Sequence, residues 1–234
     1  MPVHFNIADH VARITIDRPE VMNAVDQATE QELQGIWSQI EHNRDVRAVV
    51  LTGAGERAFC TGADMKGGSG ASGLEYWAMP RPGGFGGIAL RDTLDVPVIA
   101  RVNGHALGGG LEMMLGCDLV VAADHATFGL PEARVGRLPL DGGMVLLQRQ
   151  IPHRAAMGML LTGRRIKADE ALRFDLVNEV VPSTGPMRLS IAGWARCWPA
   201  RRYRSAPSSR WRAAPRNSRP SKPRPSACRR WWKP

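Results

Sequence analysis

Cysteine is scarce: Cys60, Cys117, Cys197 and Cys228 are the only four among 234 residues, and no two stand in C-x-x-C spacing. That excludes a small disulfide scaffold and a cysteine zinc site, and it points to a reduced, cytoplasmic setting. No run approaches the ~18 apolar residues of a membrane helix, and the first residues lack a charged-then-apolar leader. No membrane association or export is expected. A P-loop, a dinucleotide fingerprint and metal-ligand spacing are also missing, since Gly108 to Gly110 is not a G-x-G-x-x-G. Neither a metal nor a resident cofactor is expected.

Acidic residues are absent from one region only. From Ser183 to Pro234 there are twelve Arg, two Lys and no Asp or Glu, so this stretch alone carries +14 of a chain whose net charge is +9. The first 182 residues are therefore mildly acidic, at −5, like an ordinary soluble enzyme. The same 52 residues hold eight of the 17 prolines and five of the 7 tryptophans, a density at which no amphipathic period survives. Pro182 is the natural boundary between a core, residues 1–182, and a tail, residues 183–234, expected to be disordered. An acid-free Arg/Trp-rich tail is what nucleic-acid or membrane binding would use. The same mix of Arg, Pro, Ser, Ala and Trp is what a shifted reading frame yields in a GC-rich gene, and no function is assigned to it.

What is present, at 44% hydrophobic composition, is enough for a proper core. Val11-Ala-Arg-Ile-Thr-Ile-Asp17 alternates with a β period and stops at Arg18-Pro19. Asp26 offers an N-cap to a helix of about four turns with Leu33, Ile36, Trp37 and Ile40 on one face. Arg47 to Thr52 reads as a strand buried on both faces, and Val96 to Val102 and Leu119 to Ala123 repeat the theme. Helical patterning resumes through Met144 to Leu147, Ala155 to Leu161 and Ala168 to Leu176, and Val180-Val181 closes the body. Strands alternating with helices make the fold class α/β. Gly67 to Gly87, rich in Gly and Pro with Tyr76, Trp77 and Phe85, reads as a loop or short helix over a pocket.

The chain centres on Asn103-Gly-His-Ala-Leu-Gly-Gly-Gly-Leu-Glu112, which ends a strand and opens an apolar helical run, Met113 to Cys117. Three consecutive glycines cost regular structure about 0.5 to 1 kcal/mol each relative to alanine, so they serve the backbone. Helix-start N–H groups without Cβ atoms can approach a ligand closely, at the positive end of the helix dipole. This suits a developing oxyanion, and Glu112 sits beside it as an acid or base.

Three stretches together resemble the crotonase superfamily of enoyl-CoA hydratases and isomerases: Arg57-Ala-Phe-Cys-Thr-Gly-Ala-Asp-Met-Lys66, Asn103 to Glu112, and Phe128-Gly-Leu-Pro-Glu-Ala-Arg-Val-Gly136. The resemblance runs from the first strand to about Val181. It implies a spiral of β-β-α repeats, with a C-terminal helical region that builds trimers and often hexamers, and it implies the acyl-CoA chemistry of fatty acid metabolism. It places the thioester oxygen on the backbone amides of Ala63 and Gly109, with Asp64, Met65 and Lys66 in the same CoA-binding turn. CoA enters only as part of the thioester substrate. Glutamates at the positions of Glu112 and Glu132 imply a hydratase, with Glu112 activating water and Glu132 protonating C2. His105 is expected to pack or hydrogen-bond, Cys60 and Cys117 to be core thiols, and Asp118 and Asp124 to brace structure.

Two departures stand out. Pro139-Leu140-Asp141-Gly142-Gly143 keeps the family's Pro and Gly-Gly frame, but many short-chain hydratases have small residues at 140 and 141. A carboxylate there is expected to favour a polar or cationic acyl group, as in carnitinyl-CoA dehydratases. The basic tail also stands where the family's C-terminal helices usually lie. The alternatives are therefore a dehydratase of a polar acyl-CoA, an enoyl-CoA isomerase, and an inactive remnant or basic-tail binding protein on the same scaffold.

Overall fold

A computed structural model describes residues 1–64 and 81–183. Met65 and Lys66, the segment 67–80 with Tyr76 and Trp77, and the tail beyond Ser183 lie outside the described residues. Val3–Ala8 (β1) and Val11–Ile16 (β2) pair antiparallel through a two-residue turn, Asp9-His10, in which both residues have positive φ. Such a turn matches the twist of a hairpin.

Helix α1, Gln27–His42, starts where expected: the Asp26 carboxylate accepts the Thr29 N–H at 2.8 Å and the Thr29 hydroxyl at 2.7 Å. Its buried face carries Leu33, Ile36, Trp37 and Ile40. The next strand, β3 (Ala48–Gly53), is buried throughout. Val49 and Leu51 face the main core, while Val50 joins Ile99, Val121 and Ala123 in a second cluster on the opposite face.

Thereafter the chain coils between two sheets. Strands β5 (Val98–Val102), β7 (Leu119–Ala123) and β10 (Glu179–Val181) extend the first sheet, ordered β1-β2-β3-β5-β7-β10. The three-residue strands β4 (Ala58–Cys60), β6 (His105–Leu107), β8 (Thr127–Gly129) and β9 (Arg165–Lys167) form the second, in that order. Each coil passes from a first-sheet strand to a second-sheet strand, and every first-sheet pairing after the hairpin is parallel. The passage from β3 to β4 is held by two buried asparagines. Asn23 donates to the Ala54 and Ala58 carbonyls at 3.0 and 2.7 Å, and Asn103 donates to the Gly55 and Ala58 carbonyls at 2.7 and 3.1 Å.

Helix α2, Gly109–Leu115, follows β6 and is buried in full. It opens at the glycines as expected but ends at Leu115, before the expected Cys117. Gly110 lies so close to β4 that an added Cβ would stand 2.0 Å from the Cys60 carbonyl oxygen, so no other residue fits there. Helices α3 (Gly143–Gln150), α4 (His153–Thr162) and α5 (Ala168–Arg173) follow. The last stops short of the expected Leu176, because Asp175 turns the chain with φ 59°.

Candidate active site

Glycine opens the site. Gly108, at φ 55°, caps α2 in a conformation that side chains rarely adopt. As the first residue of the helix, Gly109 has an N–H with no intrahelical partner. Its backbone N stands 3.1 Å from where a Cβ on Gly62 would lie, so the Thr61-Gly62-Ala63 turn and the helix start touch. A parallel bridge, Val25 to Ala63, fixes that turn, with the Asp64 N–H donating to the Val25 carbonyl at 2.9 Å.

Ala63 and Gly109 line one cavity of about 180 Å³ together with Phe85, Glu112, Glu132, Arg137 and Asp141. The ring of Phe85 forms a wall: a Cβ on Gly109 would meet it at 2.7 Å. The turn bearing Phe85 is clamped from α1. There the Trp37 indole N–H donates to the Gly86 carbonyl at 2.8 Å, and a Glu30 carboxylate oxygen accepts the Gly86 N–H at 3.1 Å.

Glu112 projects from the first turn of α2 and is only 4% exposed. Its Oε1 accepts the Gly143 N–H at 2.9 Å, and the Asp141 N–H lies near enough to favour its charge. Burial, reinforced by the nearby charges of Asp141 and Glu132, pushes its pKa up to about 8 against those two N–H groups. Glu132 sits in the short 3-10 turn Pro131–Val135, and burial raises its pKa too. Its Oε2 is buried and has no hydrogen-bond partner among the described residues, a costly state unless a ligand group completes it. Two carboxyl groups whose charged forms are disfavoured thus face one cavity. Groups whose pKa is raised in this way are candidates for holding and releasing protons in a reaction.

The other sequence candidates lie elsewhere. The Asp64 carboxylate is held at 2.9 Å by Arg18, which also pairs with Asp26 at 3.0 Å, so it braces the turn and is not among the cavity-lining residues described. His105 hydrogen-bonds the Thr127 hydroxyl at 2.7 Å, and Asp118 accepts the Val98 N–H at 2.8 Å. Cys60 is fully buried, with its thiol pushed up to about 12, and is inert. Asp141 does border the cavity, but its carboxylate is paired with Arg81 at 3.1 Å, so its charge is already met. Leu140 is 47% exposed and outside the lining. Phe85 and Arg81 fall in the Gly67 to Gly87 stretch that the sequence reads as lying over a pocket, and Phe85 is one of its named aromatics, but no motif assigns either a role at this site.

Residues 6–198 match the family model for enoyl-CoA hydratase/isomerase. The (E)-benzylidenesuccinyl-CoA hydratase of Thauera aromatica is 43% identical over 189 residues, spanning 77% of this chain and 70% of that protein. The carnitinyl-CoA dehydratase of Citrobacter koseri is 42% identical over 179 residues, 76% of this chain and 67% of the relative. Among solved structures, a carnitinyl-CoA hydratase from Mycobacterium avium matches with a TM-score of 0.79 at 35% identity, covering 91% of this chain and 82% of that one. An enoyl-CoA hydratase from Bacillus anthracis matches with a TM-score of 0.76 at 36% identity, covering 84% and 77%. The chain therefore belongs to the enoyl-CoA hydratase/isomerase family of the crotonase superfamily and has its α/β fold.

Proposed function

We propose that this protein is an enoyl-CoA hydratase, adding water reversibly across the 2,3 double bond of an enoyl-CoA thioester. The observation that carries the reading is the pair of buried carboxyl groups, Glu112 and Glu132, facing the cavity that Ala63 and Gly109 line.

The backbone N–H groups of Ala63 and Gly109 hold the thioester oxygen and polarise the double bond. Each such donor is worth about 3 to 4 kcal/mol as the enolate forms. Water attacks C3 while the Glu112 carboxylate takes its proton. The enolate then collapses as the Glu132 carboxyl gives a proton to C2. Net, one H and one OH are added, and the two carboxyl groups exchange protonation states until solvent resets them. CoA is consumed and released as part of the thioester, Asp64, Met65 and Lys66 belong to the turn that receives it, and no separate cofactor enters the scheme.

The reverse elimination, dehydration of a polar acyl-CoA, is the second reading. The hydratase and dehydratase names of the relatives favour it. A trimer, or a hexamer of two trimers, in the cytoplasm completes the proposal. Exposed Val135, Leu138, Val145 and Leu161 support the assembly, and the buried thiol of Cys60 supports a reducing compartment. No helix among the described residues is long and apolar enough to cross a membrane.

The test follows the loss of conjugated-thioester absorbance of crotonyl-CoA with the full chain and its Glu132→Gln variant. Turnover by the first and at least 100-fold less by the second is expected. Equal turnover by both would overturn the assignment, and activity only on a hydroxylated acyl-CoA would transfer it to the dehydratase reading.

A further inference from the structure

Two walls of the cavity come from separate parts of the chain. One is the Phe85 turn, whose ring lies against Gly109. The other is the Pro139–Gly143 turn, whose Asp141 and Gly143 N–H groups cradle Glu112. A single side chain joins them. The Asp141 carboxylate bonds Arg81, at the start of the Phe85 turn, at 3.1 Å and lies close enough to the Phe85 N–H for that dipole to favour its charge. Both members of the ion pair are 14% exposed, so the contact is largely shielded from solvent. Glu30, whose charge also feels Arg81, accepts the Gly86 N–H and leaves its own Oε1 buried without a hydrogen-bond partner among the described residues.

We propose that Asp141 is a positioning residue: tied to Arg81 of the Phe85 turn, it fixes the cradle of Glu112 relative to the Gly109 amide and sets the charge that Glu112 meets. This rests on the reading of Glu112 and Glu132 as the proton-transfer pair. Glu112 faces four relevant groups: the Asp141 and Glu132 carboxyls, which oppose its ionisation, and the Gly143 and Asp141 N–H groups, which favour it. Asp141 in turn faces Arg81 and the Phe85 N–H, while Glu30 faces Arg81, Asp141, the Gly86 N–H and Gln34. Removing the Asp141 charge therefore lowers the Glu112 pKa, and loosening its tether lets the cradle drift from the amide.

The decisive variant is Asp141→Asn, which keeps the shape and the backbone donors and removes only the charge. Carbon-13 NMR of the glutamate carboxyls, with the Glu112 signal assigned by its loss in Glu112→Gln, reads the titration without needing turnover. The Glu112 midpoint is expected to fall by about half to one pH unit in Asp141→Asn. In turnover of crotonyl-CoA, kcat is expected to fall tenfold or more while KM stays within about twofold, and Arg81→Lys is expected to retain more of kcat than Arg81→Met. Thermal melts establish that each variant is folded, and Asp141→Asn carries the test if a more drastic change does not fold. A Glu112 midpoint unmoved in Asp141→Asn overturns the proposal, as do kcat values equal to wild type in both Arg81 variants. If Glu112→Gln and Glu132→Gln themselves turn over like wild type, the proton-transfer reading is what fails.

Discussion

Glu112→Gln is a perturbation whose effect on stability can be worked from the structure. Glu112 is buried, and its pKa stands at about 8 in the folded chain against 4.5 for an ordinary glutamate. Between those values the folded state holds a proton that the unfolded state has lost, so stability falls as pH rises. Below pH 4.5 both states are protonated and the group contributes nothing; above pH 8 both are ionised and the full cost of burying the charge is present. At about 1.4 kcal/mol per pH unit, that cost has an upper bound on the order of 5 kcal/mol. Local relaxation and water entry reduce it, leaving at least about 1 to 2 kcal/mol. Glutamine can accept the same Gly143 N–H through its amide oxygen and never ionises. In urea titrations from pH 5 to 9, the variant is therefore expected to match or fall slightly below wild type at pH 5 and to exceed it at pH 9. The gain at pH 9 corresponds to a Tm higher by several degrees, at roughly 2–4 °C per kcal/mol for a core of this size. Parallel stability curves for the two proteins over that range would refute the reasoning. A wild type whose stability rises between pH 5 and 8 relative to the variant would reverse its sign.

Three further outcomes are expected. If the Glu112 carboxylate takes the proton from water, kcat/KM for an enoyl thioester rises with pH toward about 8, and a flat profile from pH 6 to 9 would contradict that role. Gly110→Ala forces a Cβ to 2.0 Å from the Cys60 carbonyl oxygen, so it costs several kcal/mol and a loss of Tm above 10 °C; a near-native melt would show that the turn can yield. Trp37→Phe deletes the 2.8 Å bond to the Gly86 carbonyl and leaves that carbonyl buried, costing about 1–3 kcal/mol in urea titration; an unchanged midpoint would mean that α1 does not hold the Phe85 turn.

Much of the first sheet was legible in the sequence. β3, β5 and β7 are runs of apolar β-branched residues buried on both faces, and the Asp26 cap with Leu33, Ile36, Trp37 and Ile40 defined α1 without further help. The second sheet was not legible, because strands of three residues such as Ala58–Cys60 and Arg165–Lys167 are too short to show any period. Nor was β1, although Val3–Ala8 pairs along its whole length with β2. At the site, Ala63, Gly109, Glu112 and Glu132 could be singled out because motifs carry them, and the structure brings all four to one cavity. Phe85 was marked only as an aromatic of the Gly67 to Gly87 stretch over a pocket, and the roles of Arg81 and Glu30 were not marked at all. Their places depend on tertiary packing across α1 and the 139–143 turn, and an isolated Arg, Phe or Glu carries no local signal of it. The charge of Asp141 was visible, but its partner sixty residues away was not.

The two-sheet coil also sets the order of events when the chain folds. Apart from the β1–β2 hairpin, each pairing in the first sheet joins distant segments: Val11 meets Ala48, Val49 meets Val98, Ile99 meets Leu119, and Val121 meets Glu179. Every coil must close a loop before its strand is rewarded with hydrogen bonds, a topology that folds in milliseconds to seconds rather than microseconds. Glu112 and Glu132 lie in successive coils, so their cavity does not exist until β5, β6, β7 and β8 have all docked. Recovery of the site after dilution from urea should therefore trail the formation of α1 and the hairpin, making it one of the last parts of the molecule to assemble.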